Sequence, residues 1–188
     1  MRIAIWTTVL VLALEGAASA PPSGTWAIDP ERSSVRFTVT KFGREVVEGR
    51  FRQFAGAVVY DPQRPERSAL RWSVRVASVE TGEPERDRQL RGPQFFHAAR
   101  FQKMTFVASR IRPLPDGRVH LTGTITIRGM SRPLVIIARP LNGDRERPLF
   151  ESQFVLNRHD FGVSGGSVSR HGISDEVRVH LRMAGVPR

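Results

Sequence analysis

LRWSVRV, residues 70–76, alternates without a fault: Leu70, Trp72, Val74 and Val76 fall on one phase, Arg71, Ser73 and Arg75 on the other. Successive side chains of a β-strand point to opposite faces, so this stretch reads as a strand with one dry and one wet face. The same period recurs outward along the chain. SVRFTV (34–39) sends Val35, Phe37 and Val39 one way, and VHLTGTITI (119–127) does so with Val119, Leu121, Ile125 and Ile127. FESQFVL (150–156) repeats it less perfectly, and EVRVHLRM (176–183) sets Val177, Val179, Leu181 and Met183 against Arg178, His180 and Arg182. One-sided strands of this kind belong to antiparallel sheets.

Turn chemistry separates them: DPQRPE (61–66), PLPDG (113–117), RGMSRP (128–133), LNGD (141–144) and GVSGGSVSRHG (162–172). Eight or more strands at this spacing predict an all-β sandwich or closed barrel, and closure removes the exposed edges that an open sheet would carry. A barrel of that size can hold one small ligand. The stretch from Glu83 to Ala98 lacks alternation and reads as short helical turns across the barrel mouth.

Residues 1–20 read as an export signal: Arg2, an apolar run from Ile3 to Leu14, then small residues from Gly16 to Ala20. The run ends at Glu15 and is short for a bilayer span, which leaves a retained anchor as the weaker alternative. Cleavage after Ala20 would expose Pro21, and cleavage after Ala18 is the other option. Residues 21–188 then form one domain, since 188 − 20 = 168 residues suffice for a single core and hardly for two. With no cysteine, the fold uses neither disulfides nor thiolate metal sites.

The formal charge is +11, and Lys41 and Lys103 are the only lysines. A basic surface attracts nucleic acid and anionic lipid headgroups alike. The export signal and the absence of any compact arginine run weigh against nucleic acid, and a general compositional bias explains the arginines as well. Among the histidines, His97, His120, His159, His171 and His180 give no H-x-x-x-H pair and no H-E-x-x-H, so no metal or cofactor is expected. GVSGG offers no nucleophile elbow, and no enzyme signature stands out.

One stretch resists the strand pattern: SVETGEPERDRQLRGPQFFHAARF, residues 78–101, wraps charged residues around the adjacent rings of Phe95 and Phe96. Neighbouring residues cannot share a face on a strand and lie about 100° apart on a helix, so the pair suits a bend over an apolar cavity. This stretch, continued through QKMTFVAS, resembles the signature segment of the YceI-like, polyisoprenoid-binding family. Ser78, Thr81, Gly82, Arg86, Asp87, Leu90, Phe95, Phe96 and Phe106 stand where that pattern wants them. TWAIDPERSSVRFTV, EGRFRQFAGAVVYD, LTGTITIRGMSRPL and LNRHDFGVSGG followed by ISDEVRVHL extend the resemblance from about Trp26 to Met183. The chain departs from the pattern at Gln89, where the family often has His, at His97, where it has an acid, and at Phe101-Gln102, which replaces an aromatic-Pro pair. None of these removes the apolar pattern, but any headgroup contact made by the family's His would change.

The resemblance implies an antiparallel lipocalin-like β-barrel, exported to the periplasm, that binds and carries an isoprenoid or similar amphiphilic lipid such as a quinone or polyprenyl chain. The alternatives are an enzyme modifying such lipids through a polar cluster at the mouth, and a basic module docking transiently on anionic membrane. The expected ligand-binding residues are Phe37, Val39, Phe51, Trp72, Val74, Phe106, Leu121, Ile125 and Phe154 on strands, with Leu90, Phe95, Phe96, Arg86 and Asp87 at the mouth. An inward residue becomes core or pocket wall according to the width of the barrel. For Arg86 and Asp87, tying the loop to the rim competes with headgroup binding.

Overall fold

The computed structural model describes residues 23–61, 63–141, 146–166 and 172–188. The strands are β1 (Gly24–Ile28), β2 (Ser34–Lys41), β3 (Glu45–Phe51), β4 (Phe54–Tyr60), β5 (Ala69–Arg75), β6 (Val79–Glu80), β7 (Lys103–Pro113), β8 (Val119–Ile127), β9 (Met130–Pro140), β10 (Leu149–Asn157) and β11 (Ile173–Pro187). An α-helix, α1 (Pro84–Arg91), follows β6, and short 3-10 helices lie at Pro65–Arg67, Val76–Ser78 and Arg158–Phe161.

Every pairing is antiparallel, and eight strands close on themselves in the order β1-β4-β5-β7-β8-β9-β10-β11. The seam is short: Trp26 faces Pro187, Ala27 faces Val186 and Ile28 faces Gly185. β11 serves two partners along its length, because Val177 to Arg182 pair with Val39 to Ser34 of β2 before the strand reaches β1. Between the two partners the chain turns at 29–33, where Asp29 N–H donates to the Ala184 carbonyl (2.9 Å) and Ser33 Oγ accepts from Ala184 N–H (2.8 Å). β2, β3 and β6 thereby form a flange that widens one end of the barrel.

The alternation set the inward face as expected. Trp72, Val74 and Val76 are buried while Arg71 and Arg75 are exposed, and all five odd positions of β8 from Val119 to Ile127 are buried. The third of these is Gly123, over which the Phe106 ring lies so closely that a methyl group would overlap it. Gly49 serves Phe37 in the same way across the β2–β3 ladder.

RGMSRP is only partly a turn. Arg128 (φ 51°) and Gly129 (φ 73°) alone make the two-residue connection between Ile127 and Met130, the left-handed geometry that a tight hairpin demands. Ser131 to Pro133 continue into β9. Pro133 is tolerated there because β10 meets β9 only at Ala138 to Pro140, which leaves the first part of β9 with β8 as its one partner. The expected export segment lies outside the described residues, as do most of LNGD and five residues of the glycine-rich loop.

Candidate functional site

Apart from a half-polar cleft of about 660 Å³ along β2 and β3, two mainly apolar cavities occupy opposite ends of the barrel. The larger, about 360 Å³, lies between α1 and the flanged end. Phe37, Val39, Leu156, Phe161, Val163 and Val177 make its apolar wall, Leu90, Phe95 and Phe96 its cap, and Lys41, Glu83, Glu85, Arg86, Gln89 and Arg158 its polar fringe.

The cap is an eight-residue helix, too short to persist without tertiary support. Its anchors are specific. Asp87, 7% exposed, accepts from Thr81 N–H (2.8 Å) and Thr81 Oγ1 (2.6 Å). Arg86 donates to Thr81 Oγ1 (2.9 Å), to the Thr81 carbonyl (3.0 Å) and to Glu83 (2.9 Å). Arg91 donates to the carbonyls of Ala77 (3.0 Å) and Val79 (2.9 Å). Gly82, at φ 82°, allows the tight Ser-x-x-Thr-Gly turn on which this network rests.

Beyond α1 the chain bends at Gly92 to His97, and His97 adopts φ 51°. Arg128 at the β8–β9 turn donates to the carbonyls of Pro93 (2.9 Å) and Phe95. Burial and the nearby Arg100 lower its pKa below the usual guanidinium value. Gly165 N–H donates to the Gln94 carbonyl (2.9 Å), tying the bend to the far rim as well. Held in this way, adjacent Phe95 and Phe96 both reach the cavity, and Phe96 also packs edge-on against Phe51 (ring centroids 5.7 Å, 64°). Phe51 in turn touches Phe37 (5.6 Å), so an aromatic chain runs from cap to wall.

On the opposite rim, Arg158 is 8% exposed and each of its three guanidinium nitrogens donates. It donates to the carbonyls of Val163 (2.9 Å), Ser164 (2.8 Å) and Ser174 (3.2 Å) and pairs with Asp175 (2.7 Å). His159 Nε2 also lies 2.8 Å from Asp175, and these two partners, His159 first, hold the Asp175 carboxyl below the usual carboxylate range.

The smaller cavity, about 120 Å³, lies at the other end among Trp26, Tyr60, Trp72, Leu121, Ile136 and Leu181. Between the cavities stand Val74 (1% exposed), Phe106 (0%) and Ile125 (3%), with Phe106 against Trp72 at 6.2 Å.

Of the residues expected from sequence to bind ligand, Phe37, Val39, Leu90, Phe95, Phe96 and Arg86 meet at the α1 cavity. Trp72 and Leu121 line the smaller one. Phe51, Val74, Phe106, Ile125 and Phe154 pack in or against the core without lining either, and Asp87 is turned to Thr81. Sequence reasoning missed Leu156, Phe161, Val163 and Val177 as walls of the α1 cavity; the Phe161/Val163 alternation was the available signal. Among the described residues no cluster of three or more metal-ligating side chains occurs, and no helix is long and apolar enough to cross a membrane.

Comparison with known proteins agrees with this architecture. A UPF0312 protein of Shewanella oneidensis is 28% identical over 94% of this chain and 97% of its own length, and one of Azotobacter vinelandii is 29% identical over 80% and 82%. BcnA of Burkholderia cenocepacia superposes with a TM-score of 0.76 at 24% identity, covering 84% of this chain and 98% of that one. A structure described as a polyisoprenoid binding domain, from Saccharophagus degradans, gives 0.73 at 14% identity over 89% and 100%. The profile of the YceI-like domain matches residues 26–184. That span runs from the first strand of the closed barrel to the last, and the chain belongs to the YceI-like domain family.

Proposed function

We propose that this protein is a non-enzymatic carrier that holds an isoprenoid or similar amphiphilic lipid, a quinone or polyprenyl chain, in the cavity beneath α1, and that it works in the periplasm after export. The observation that carries the proposal is the cavity itself: an apolar wall of about 360 Å³ with charged side chains confined to its rim suits an apolar tail and a polar head. The polyisoprenoid-binding description of the Saccharophagus relative supports the ligand class.

At about 0.8 kcal/mol per buried CH₂, each five-carbon unit taken from water contributes on the order of 3 to 4 kcal/mol before ordering costs, so the tail dominates affinity. At roughly 30 Å³ per heavy atom the cavity takes on the order of a dozen atoms, or two to three isoprene units. A longer chain must project outward or displace the residues between the cavities. Arg86, engaged by Thr81 and Glu83, has little left for chemistry, and Asp87 is buried against Thr81. This engagement favours a binding role over catalysis by a mouth cluster.

The β2–β3 hairpin beside the cavity supports transient contact with anionic membrane, since Phe42 and Val46 are 64% and 58% exposed and Lys41 and Arg44 flank them. Native mass spectrometry of protein purified from its own periplasm, followed by lipid extraction, tests the proposal. The expected result is a mature chain starting between Ser19 and Ser23 that carries a lipid adduct. A protein that arrives empty and takes no lipid from vesicles ends the carrier reading, and a chain retaining Met1 in the membrane fraction ends the export reading.

A further inference from the structure

The cleft along β2 and β3 opens on the outer face of the barrel, on the strand phase opposite buried Val35, Phe37 and Leu181. Strand register lays one row of side chains across it. Arg36 stands at the centre, with Arg50 of β3 directly opposite on one side and His180 of β11 directly opposite on the other. Like charges facing each other on adjacent strands repel, because their Cβ atoms lie only about 5 Å apart. One of the two arginines is relieved. Arg50 pairs with Glu80 (2.9 Å), whereas the Arg36 guanidinium has no hydrogen-bond or ion-pair partner among the described residues.

Arg182, diagonal to Arg36 and opposite Ser34, is likewise without a side-chain partner among the described residues. The acids lining the cleft do not offset this pair. Glu80 already serves Arg50 and Arg52, and Glu151 at the other end serves Arg139 (2.7 Å). Glu48 alone is uncommitted, and it faces Thr38 rather than either arginine. Ser34 and Thr38, two residues to each side of Arg36, share its face, and their hydroxyls make no hydrogen bond among the described residues. The middle of the cleft thus holds a surplus of positive charge with spare donors on both sides of it.

We propose that this cleft is an anion site for a phosphate or pyrophosphate group, which accepts hydrogen bonds from Arg36 and Arg182 and from the hydroxyls of Ser34 and Thr38. Guanidinium forks match phosphate oxygens in pairs, and the bound charge offsets the repulsion between Arg36 and Arg50. The site is distinct from the α1 cavity: Phe37 is the one residue that borders both, and its ring is buried over Gly49. The phosphate belongs either to a soluble ester or to a lipid headgroup, and the two sources are separable by experiment.

Calorimetric titration with pyrophosphate, at a fixed ionic strength of about 0.15 M, tests the soluble source. Co-sedimentation with phosphatidylcholine vesicles containing phosphatidic acid tests the headgroup. Arg36→Gln and Arg182→Gln should each weaken binding about tenfold, and Glu48→Gln should strengthen it by about twofold to threefold. Arg71→Gln removes the same charge from the exposed face of β5 and should leave binding within about twofold. Whichever probe shows this ordering identifies the source. The proposal is overturned if neither probe binds the wild-type protein, or if Arg36→Gln and Arg71→Gln weaken binding alike, since only net charge would then act. It is also overturned if Glu48→Gln weakens binding, which would make the acid part of a site for a cation. Arg36→Gln should leave lipid retention in the α1 cavity unchanged, so failure here and failure of the carrier reading are distinguishable.

Discussion

The two ends of the barrel are built from the same alternating strands and finish in opposite ways. At the α1 end the wall is apolar, but the cover is a segment of loop and short helix fastened by polar side chains: Asp87 and Arg86 to the Thr81 turn, Arg91 to Ala77 and Val79, Arg128 to Pro93 and Phe95. At the other end the enclosure comes from strand residues themselves, above all Trp26 at the β1–β11 seam and Trp72 on β5. A cover held by side-chain hydrogen bonds can open without disturbing the ladder, whereas displacing a strand residue disturbs the barrel. On the carrier function proposed above, exchange of a large ligand is expected at the α1 end.

The contrast can be broken most severely at the partition between the cavities. Phe106→Ala removes a fully buried ring and should cost about 3 to 5 kcal/mol, lowering the melting temperature by roughly 10 °C. Calorimetry checks this, and a loss under about 1 kcal/mol would mean that the two cavities are already one.

A smaller effect on folding and a larger one on exchange are expected at the cap. Phe95→Ala with Phe96→Ala should accelerate lipid transfer to acceptor vesicles about tenfold, because the rings close the mouth, while stability falls by about 2 kcal/mol through lost contact with Phe51. If the double variant melts early yet exchanges lipid at the wild-type rate, the rings are ordinary core and the ends do not differ in the way argued.

Membrane contact should separate the ends more gently. Phe42→Ser removes an exposed ring at the α1 end and should reduce co-sedimentation with anionic vesicles by roughly fivefold. An equal loss from Val59→Ser, at the opposite end, would show that the attraction is only general charge.

The smallest expected effect concerns acid. Asp175 has its carboxyl pKa lowered by His159 and Arg158, so the stability it supplies is fully present above the ordinary value near 3.8. It is lost as pH falls through the lower folded value. Asp175→Asn should make the decline of the urea midpoint below about pH 4 shallower, and an unchanged slope would place the acid sensitivity elsewhere.

The alternation in LRWSVRV and VHLTGTITI makes inward and outward faces legible in the sequence, and the same pattern cannot say how far along the axis a residue stands. Val39 and Val74 look alike in sequence, yet one lines a cavity and the other is in the partition. RGMSRP hid the start of β9 because Gly, Ser and Pro signal turns locally, while the strand is set by its partner β8. Asp87 stood beside Arg86 as a candidate for ligand contact, and only the backbone path of the Thr81 turn showed where its carboxylate goes.

Pro133 has a consequence for the protein's life among its own copies. From Met130 to Ile137, β9 runs without β10 beside it, and Met130 and Val135 are 43% and 51% exposed there. Such a margin invites another molecule to add a strand, the first step of edge-to-edge aggregation. A residue without an N–H interrupts the template in its middle, and the charged Arg132 next to it adds a cost to any chain that docks. The unpaired stretch of β9 can thus stand beside other copies of the chain without becoming a seed for polymer.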